Sequence, residues 1–375
     1  MKGQWIGIYQ GSNNGDIIVN IDEQPSSFDG IVFLHDENPQ LPILAATFST
    51  QNKSETFEFR TSEIMPINPE TKLIDDWENV NKYYNNHGEI IIPKFAEVTG
   101  SWSEKSLIFS WSTNIGTHGS CTLESSKAKE PSKLAPKIFE WKEFKEYIPI
   151  MTGRKFIFRG QRKPHRLRTS FHRANRFHVH RFVNRDIQML HKHLSGKTKH
   201  LFNLKNPDEN GAFFNLVQHH GYPTPLLDWT YSPYVAAFFA FRNISSEEAK
   251  KSKLDERVRI YSFDMEKWIN EMEQIQDILP ATLHISIGEF LTVENERMIP
   301  QQAVSFITNI DDIESYIYIR QGMNNCEYLS AMDIPVNSRD EVIQELNYMG
   351  ITAGSLFPGL DGACEELKER NFKYY

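Results

Sequence analysis

Cysteine is scarce in this chain. Its three residues, Cys121, Cys326 and Cys364, lie far apart with no CxxC pair. That excludes a disulfide framework and a cysteine-rich metal site. Long apolar runs are also missing. The densest, Tyr234 to Phe241, falls well short of the roughly 20 residues a membrane-spanning helix needs, so no membrane association is expected. The opening MKGQWIGIYQ lacks the apolar core of a signal peptide, and a cytoplasmic location is expected. What is present is ordinary for a folded protein: 375 residues, 39% hydrophobic, mean hydropathy −0.50. That length suggests two domains.

The net charge of −8 comes from 41 Lys+Arg against 49 Asp+Glu, but it is unevenly spread. Residues 154–205 hold 15 Lys/Arg, seven His and one acid, Asp186, so this strip is near +14. The rest of the chain sums to −22. An anionic partner is therefore expected near residues 154–205, although the average charge argues against one. Within the strip, Phe171, Phe177 and Phe182 are interleaved with Arg and His, which offers charge with stacking faces as single-stranded nucleic-acid surfaces do. The acidic remainder, including the N-terminal part, is an alternative partner for the same charges. The HxH pairs His178/His180 and His191/His193 have no acid or Cys beside them, and no metal site is expected there.

Residues 1–123 predict β structure. Trp5, Gly7 and Tyr9 alternate with Ile6 and Ile8, the period of a strand with two different faces. Asn14-Gly15 ahead of Ile17-Ile18-Val19 predicts a type I′ hairpin. Short runs recur at residues 31–34, 43–48, 56–60, 89–92, 97–102, 107–111 and 119–123, which together predict an antiparallel sandwich or small barrel. The stretch from Trp5 to Gly11 and Gly100-Ser101-Trp102 are faintly similar to strands of small ligand-binding up-and-down barrels. A recognition role, for a protein or a small-molecule trigger, is expected of this domain. The polar stretch 124–137, with Pro131 and Pro136, predicts a linker.

From residue 138 to 375 the pattern mixes helices (180–193, 208–220, 232–243, 264–273, 338–349) with strands (155–158, 225–229, 257–263, 302–308, 350–356). This predicts a mixed α/β domain and an α+β protein overall. Ser338 and Glu341 stand at capping-box spacing, and Gly350 is placed to stop that last helix.

Two constellations carry chemistry. Phe158-Arg159-Gly160-Gln161 ends a short apolar strand. There Arg159 is a natural clamp for phosphate or carboxylate, and Gly160 lets a ligand approach the backbone. The second runs from Gln218-His219-His220-Gly221 through Leu226-Leu227-Asp228-Trp229-Thr230 to Ser232-Pro233. It is a helix end, a strand, and a hydroxyl-rich entry to the next helix, where pockets and anion sites form. Thr230 or Ser232 is placed to cap that helix. Arg297, near Gln301-Gln302, is a second candidate anion contact.

These motifs, with Ala236, Phe239-Ala240, Gln302, Phe306 and Leu356-Phe357-Pro358-Gly359, resemble the FRG domain family over roughly residues 138–370. His220 stands where that family commonly has an aromatic, Pro225 where it has Arg, and Gly359 where it has Asp. The order of motifs is in turn similar to ADP-ribosyltransferase folds. That similarity implies NAD as a substrate, with Arg159 on its phosphates, Thr230 and Ser232 at the pocket lip, and Gln302 in the place of a late acid. Since Gln carries no full negative charge, Asp228, Glu294 or Glu296 must then supply it. His219, Asp228, Gln302 and Glu296 are the implied catalytic candidates. Arg159, Gly160, Gln161, His220, Thr230, Ser232 and Arg297 are the ligand-binding ones. The implied activity is that of an NAD-consuming or ADP-ribosylating effector of toxin or defence type. The alternative is a non-catalytic module that binds nucleic acid or a nucleotide.

Overall fold

The computed structural model describes residues 1–84, 91–151 and 153–372. Its N-terminal third is one antiparallel sheet of β1 (Gly3–Gly11), β2 (Gly15–Glu23), β3 (Phe28–Asp36), β4 (Leu44–Ser49), β5 (Thr56–Thr61), β6 (Ile64–Pro66), β7 (Ala96–Trp102), β8 (Ser106–Thr113) and β9 (His118–Ser125). The order is β5-β7-β8-β9-β1-β2-β3-β4-β6. β6 returns to pair with β4, and Thr61 Oγ1 donates to the Thr47 carbonyl at 2.7 Å, so the sheet all but closes into a barrel.

Alternation explains which faces point inward. On β1, Trp5 and Tyr9 join the barrel core, while Ile6 and Ile8 stay exposed. On β2, Ile17, Val19 and Ile21 face inward. Ile18 faces outward, yet it is buried with Ile31, Phe33 and Ala281 because the second half of the chain covers that wall. The unbroken run Ile17-Ile18-Val19 is apolar because both its faces are covered.

The remainder is built on β10 (Lys137–Ile138), β11 (Phe156–Gln161), β12 (Leu226–Thr230), β13 (Arg257–Asp264), β14 (Ile285–Gly288), β15 (Ala303–Thr308) and β16 (Leu329–Pro335), in the order β10-β16-β13-β11-β12-β15-β14. All neighbours are antiparallel except β10 and β16. The helices Trp141–Tyr147, Pro233–Phe241 and Arg339–Tyr348 share a core with Phe158, Val258 and Ile260. A second core gathers Ile157, Trp229, Trp268 and Ile317.

Some local expectations are corrected. Neither Asn14 nor Gly15 has positive φ, so there is no type I′ turn at this pair. Gly15 already lies in β2, where a Cβ would sit 2.0 Å from the His35 carbonyl oxygen. Residues 353–356 form a short helix capped by Thr352, not a strand. Ser338 makes no capping bond, whereas Gly350 does turn the chain with φ 76. The run at 89–92 falls partly outside the described residues. Segment 124–137 is strapped down: Ser126 donates to Asp311, the Lys133 N–H to Glu314, and Arg259 to Ser132. Among the described residues, no helix is long and apolar enough to cross a membrane.

Candidate functional site

β11 and β12 are neighbours through a single residue pair, Phe158 opposite Thr230. β13 runs beside the whole of β11, and β15 beside the whole of β12. The sheet therefore parts where β12 leaves β11, and Arg159 stands at the parting. Its Nη1 donates to the Asp228 carbonyl at 2.5 Å, while its buried Nε has no protein partner. Burial, and next the like charge of Arg173, push Arg159 down to about 10; the Asp228 carboxylate pulls the other way. The same carboxylate acts on Arg173, whose Nη1 is tied to the Arg168 carbonyl at 2.5 Å. Two guanidiniums held on backbone carbonyls thus lie within the electrostatic reach of one carboxylate.

Asp228 is oriented by its neighbours. Gln218 Nε2 donates to Oδ1, Ser305 Oγ lies 3.5 Å from the same oxygen, and Thr224 Oγ1 donates to Gln218 Oε1. The helix Pro207–His219 thereby delivers Gln218 to β12, with Asn206 capping its start. A polar Ser305 inside the buried strand Val304-Ser305-Phe306 was the sequence signal for this contact.

The FRG-motif glycine has a packing role. A Cβ on Gly160 would lie 1.8 Å from the Ala236 carbonyl oxygen and 2.8 Å from Ala240 N. Gly160, Ala236 and Ala240 are one device that lets the helix Pro233–Phe241 lie on β11. The helix, not a ligand, occupies the space this glycine opens. Gln161 donates to the His165 carbonyl at 2.9 Å.

Thr230 and Ser232 are engaged in the fold. Thr230 Oγ1 donates to the Gln301 carbonyl at 2.7 Å and accepts from the Ser232 N–H at 3.0 Å, and Ser232 caps the helix Pro233–Phe241. Gln301 Nε2 continues to the Leu356 carbonyl at 2.9 Å. Gln302, by contrast, has an exposed side chain and φ 48, and its carbonyl accepts from the Tyr231 N–H. His219 Nδ1 is 2.8 Å from Asn295 Oδ1, and Arg297 Nη1 donates to the His219 carbonyl at 2.6 Å while lying 5.4 Å over Phe357. His220 and Glu296 are exposed, and Glu294 accepts the His200 N–H. Of Asp228, Glu294 and Glu296, Asp228 is the residue bonded to Arg159, through its backbone carbonyl.

Part of the basic strip is spent on internal ion pairs. Arg166 meets Asp312 at 2.9 Å, Arg168 meets Asp311 at 2.6 Å, Arg176 meets Asp22 and Asp186 at 2.6 and 2.7 Å, and Arg181 meets Asp29. Asp22 and Asp29 belong to the barrel, so the N-terminal domain is one partner of the strip. Phe171, Phe177 and Phe182 are buried, at 1–3% exposure. That removes the stacking faces expected of them. His178 accepts the Arg181 N–H, and His172 lies against Thr169. Among the described residues no three His, Cys, Asp or Glu gather around a common point.

No curated protein matches this chain. Among solved structures, one match is a redesigned beta barrel, 13% identical, covering 34% of this chain and 91% of that one with a TM-score of 0.22. Residues 154–249, which hold Arg159, Arg173, Gln218, Asp228 and the Gly160–Ala236 contact, match the model of the FRG domain. The chain therefore carries an FRG domain over residues 154–249.

Proposed function

We propose that the FRG domain binds an anionic nucleotide where its sheet parts and consumes NAD there. The observation that carries this reading is the position of Arg159 where the sheet parts, with Nη1 held on the Asp228 carbonyl and the buried Nε left without a protein partner. A planar guanidinium fork suits a pyrophosphate, and partial desolvation strengthens its attraction for an anion. In the reaction the bond between ribose C1′ and the nicotinamide nitrogen breaks. Its electron pair neutralises the nicotinamide, which leaves. The cationic ribose is then attacked by water or by a nucleophile of a target. The Asp228 carboxylate stabilises that cation and accepts the nucleophile's proton. Thr230 and Ser232 shape the site through the backbone they hold, while His219 and Arg297 brace its rim.

Incubating the full chain with NAD, with and without cell lysate, should release nicotinamide or label a target. Arg159→Ala should weaken NAD binding, and Asp228→Asn should abolish turnover while NAD still binds. Absence of both binding and turnover in the unmodified protein would reject this reading. NAD binding without turnover would make the domain a nucleotide-binding module instead.

A further inference from the structure

The barrel holds an apolar pocket of about 200 Å³ that opens to solvent at one side, with a smaller void of about 40 Å³ near Met1. Both are bounded by Val32, Ala46, Thr61, Val98 and Phe109. Packed interiors leave few gaps larger than a water molecule, and an unfilled gap costs stability in proportion to its volume. Ile17, Leu34, Leu44 and Trp111 continue the apolar wall. Polar groups collect at one end. Tyr9 Oη donates to Asp36 Oδ2 at 3.2 Å, Asp36 Oδ1 accepts the Asn38 N–H at 2.8 Å, and Ser12 Oγ lies 3.2 Å from His118 Nδ1. Among the described lining residues there is no Lys or Arg, and Asp36 is the acid.

We propose that this barrel is a binding site for a small apolar molecule, one or two rings in size, whose polar end is a hydrogen-bond donor directed at Asp36. Size follows from volume, because a dry cavity of about 150 Å³ holds benzene and this one is somewhat larger. Polarity follows from charge. An ionised carboxylate accepts and does not donate, and an anionic ligand would meet Asp36 with no lining Lys or Arg to offset its desolvation. The ligand class is therefore an amine, phenol or alcohol rather than a carboxylic acid.

The test is calorimetric titration of the full chain with 1-naphthylamine, 1-naphthol and 1-naphthoate. The amine and the naphthol should bind about tenfold tighter than the acid, the worth of a hydrogen bond to a charged group. Asp36→Asn should narrow that gap. Ala46→Trp, which fills the lumen, should abolish binding of all three. If that variant does not fold, Leu44→Phe at the cavity wall should still weaken binding, and the probes should still shield Trp111 from acrylamide quenching in the unmodified chain. Binding of none of the probes, equal or tighter binding of naphthoate, or binding that survives the filled lumen overturns the proposal.

Discussion

The fully buried Asp22 carboxylate in the barrel wall accepts Arg176 Nε at 2.6 Å, together with the backbone N–H of Phe177 at 2.6 Å and of His178 at 3.1 Å. One acid of the barrel thus ties down a guanidinium and two amides of the FRG domain. Removing it leaves three donors without an acceptor, one of them charged. Asp22→Ala should cost about 3–5 kcal/mol, and Asp22→Asn, which keeps an acceptor for the amides, clearly less. Denaturant unfolding measures both, and equal losses would show that the amides do not depend on this side chain.

Gly160→Ala forces a methyl against the Ala236 carbonyl, where a rigid backbone cannot give way. The helix Pro233–Phe241 must lift from β11 at a cost of about 3 kcal/mol. Gly322, within the helix Ile313–Asn324, has open space where a Cβ would stand. Gly322→Ala should stabilise by about 0.5–1 kcal/mol. Thermal unfolding of the pair should therefore shift in opposite directions.

His172, His178, His180 and His284 are each pushed down to about 4 by burial, and burial also lowers His35 at the barrel contact with Ala281. The unfolded chain binds protons near pH 6.5, whereas the folded one resists them to about pH 4. Between those values the unfolded state carries more protons, so stability rises with pH. Their contribution is complete above pH 6.5 and falls away as the pH drops toward 4. Melting temperature should decline across that window, and His180→Phe should flatten the slope. A melting temperature unchanged between pH 7 and 5 would contradict the assignment of neutral buried histidines.

Gln218 holds the Asp228 carboxylate through its amide. Under the NAD-consuming reading, Gln218→Met should lower turnover about tenfold and cost about 1–3 kcal/mol of stability, since the buried Thr224 hydroxyl and the Asp228 carboxylate each lose a hydrogen bond. Gln218→Glu sets a second carboxylate beside Asp228 and raises the pKa of the pair. The acid limb of the pH–rate profile should then move to higher pH. An unmoved profile would remove Asp228 from the reacting centre.

The sequence by itself determined what depends on near neighbours. Two-residue alternation laid out the barrel strands, from Trp5 and Tyr9 inward to Ile6 and Ile8 outward. Helix stops such as Gly350 and starts such as Ser232 were legible because caps are local chemistry. Arg159 and Asp228 stood out as polar residues on short apolar strands. Tertiary structure alone decided the fate of the basic strip. Its charges attract any anion, and only the fold brought Asp22, Asp29, Asp311 and Asp312 to them across more than a hundred residues. It also decided that Phe171, Phe177 and Phe182 are core, that Gly160 makes room for a helix, and that Arg159 is held on the Asp228 carbonyl. Periodicity fixes which way a side chain points within its own element, while charge and close packing are settled by whatever the folded chain places opposite it.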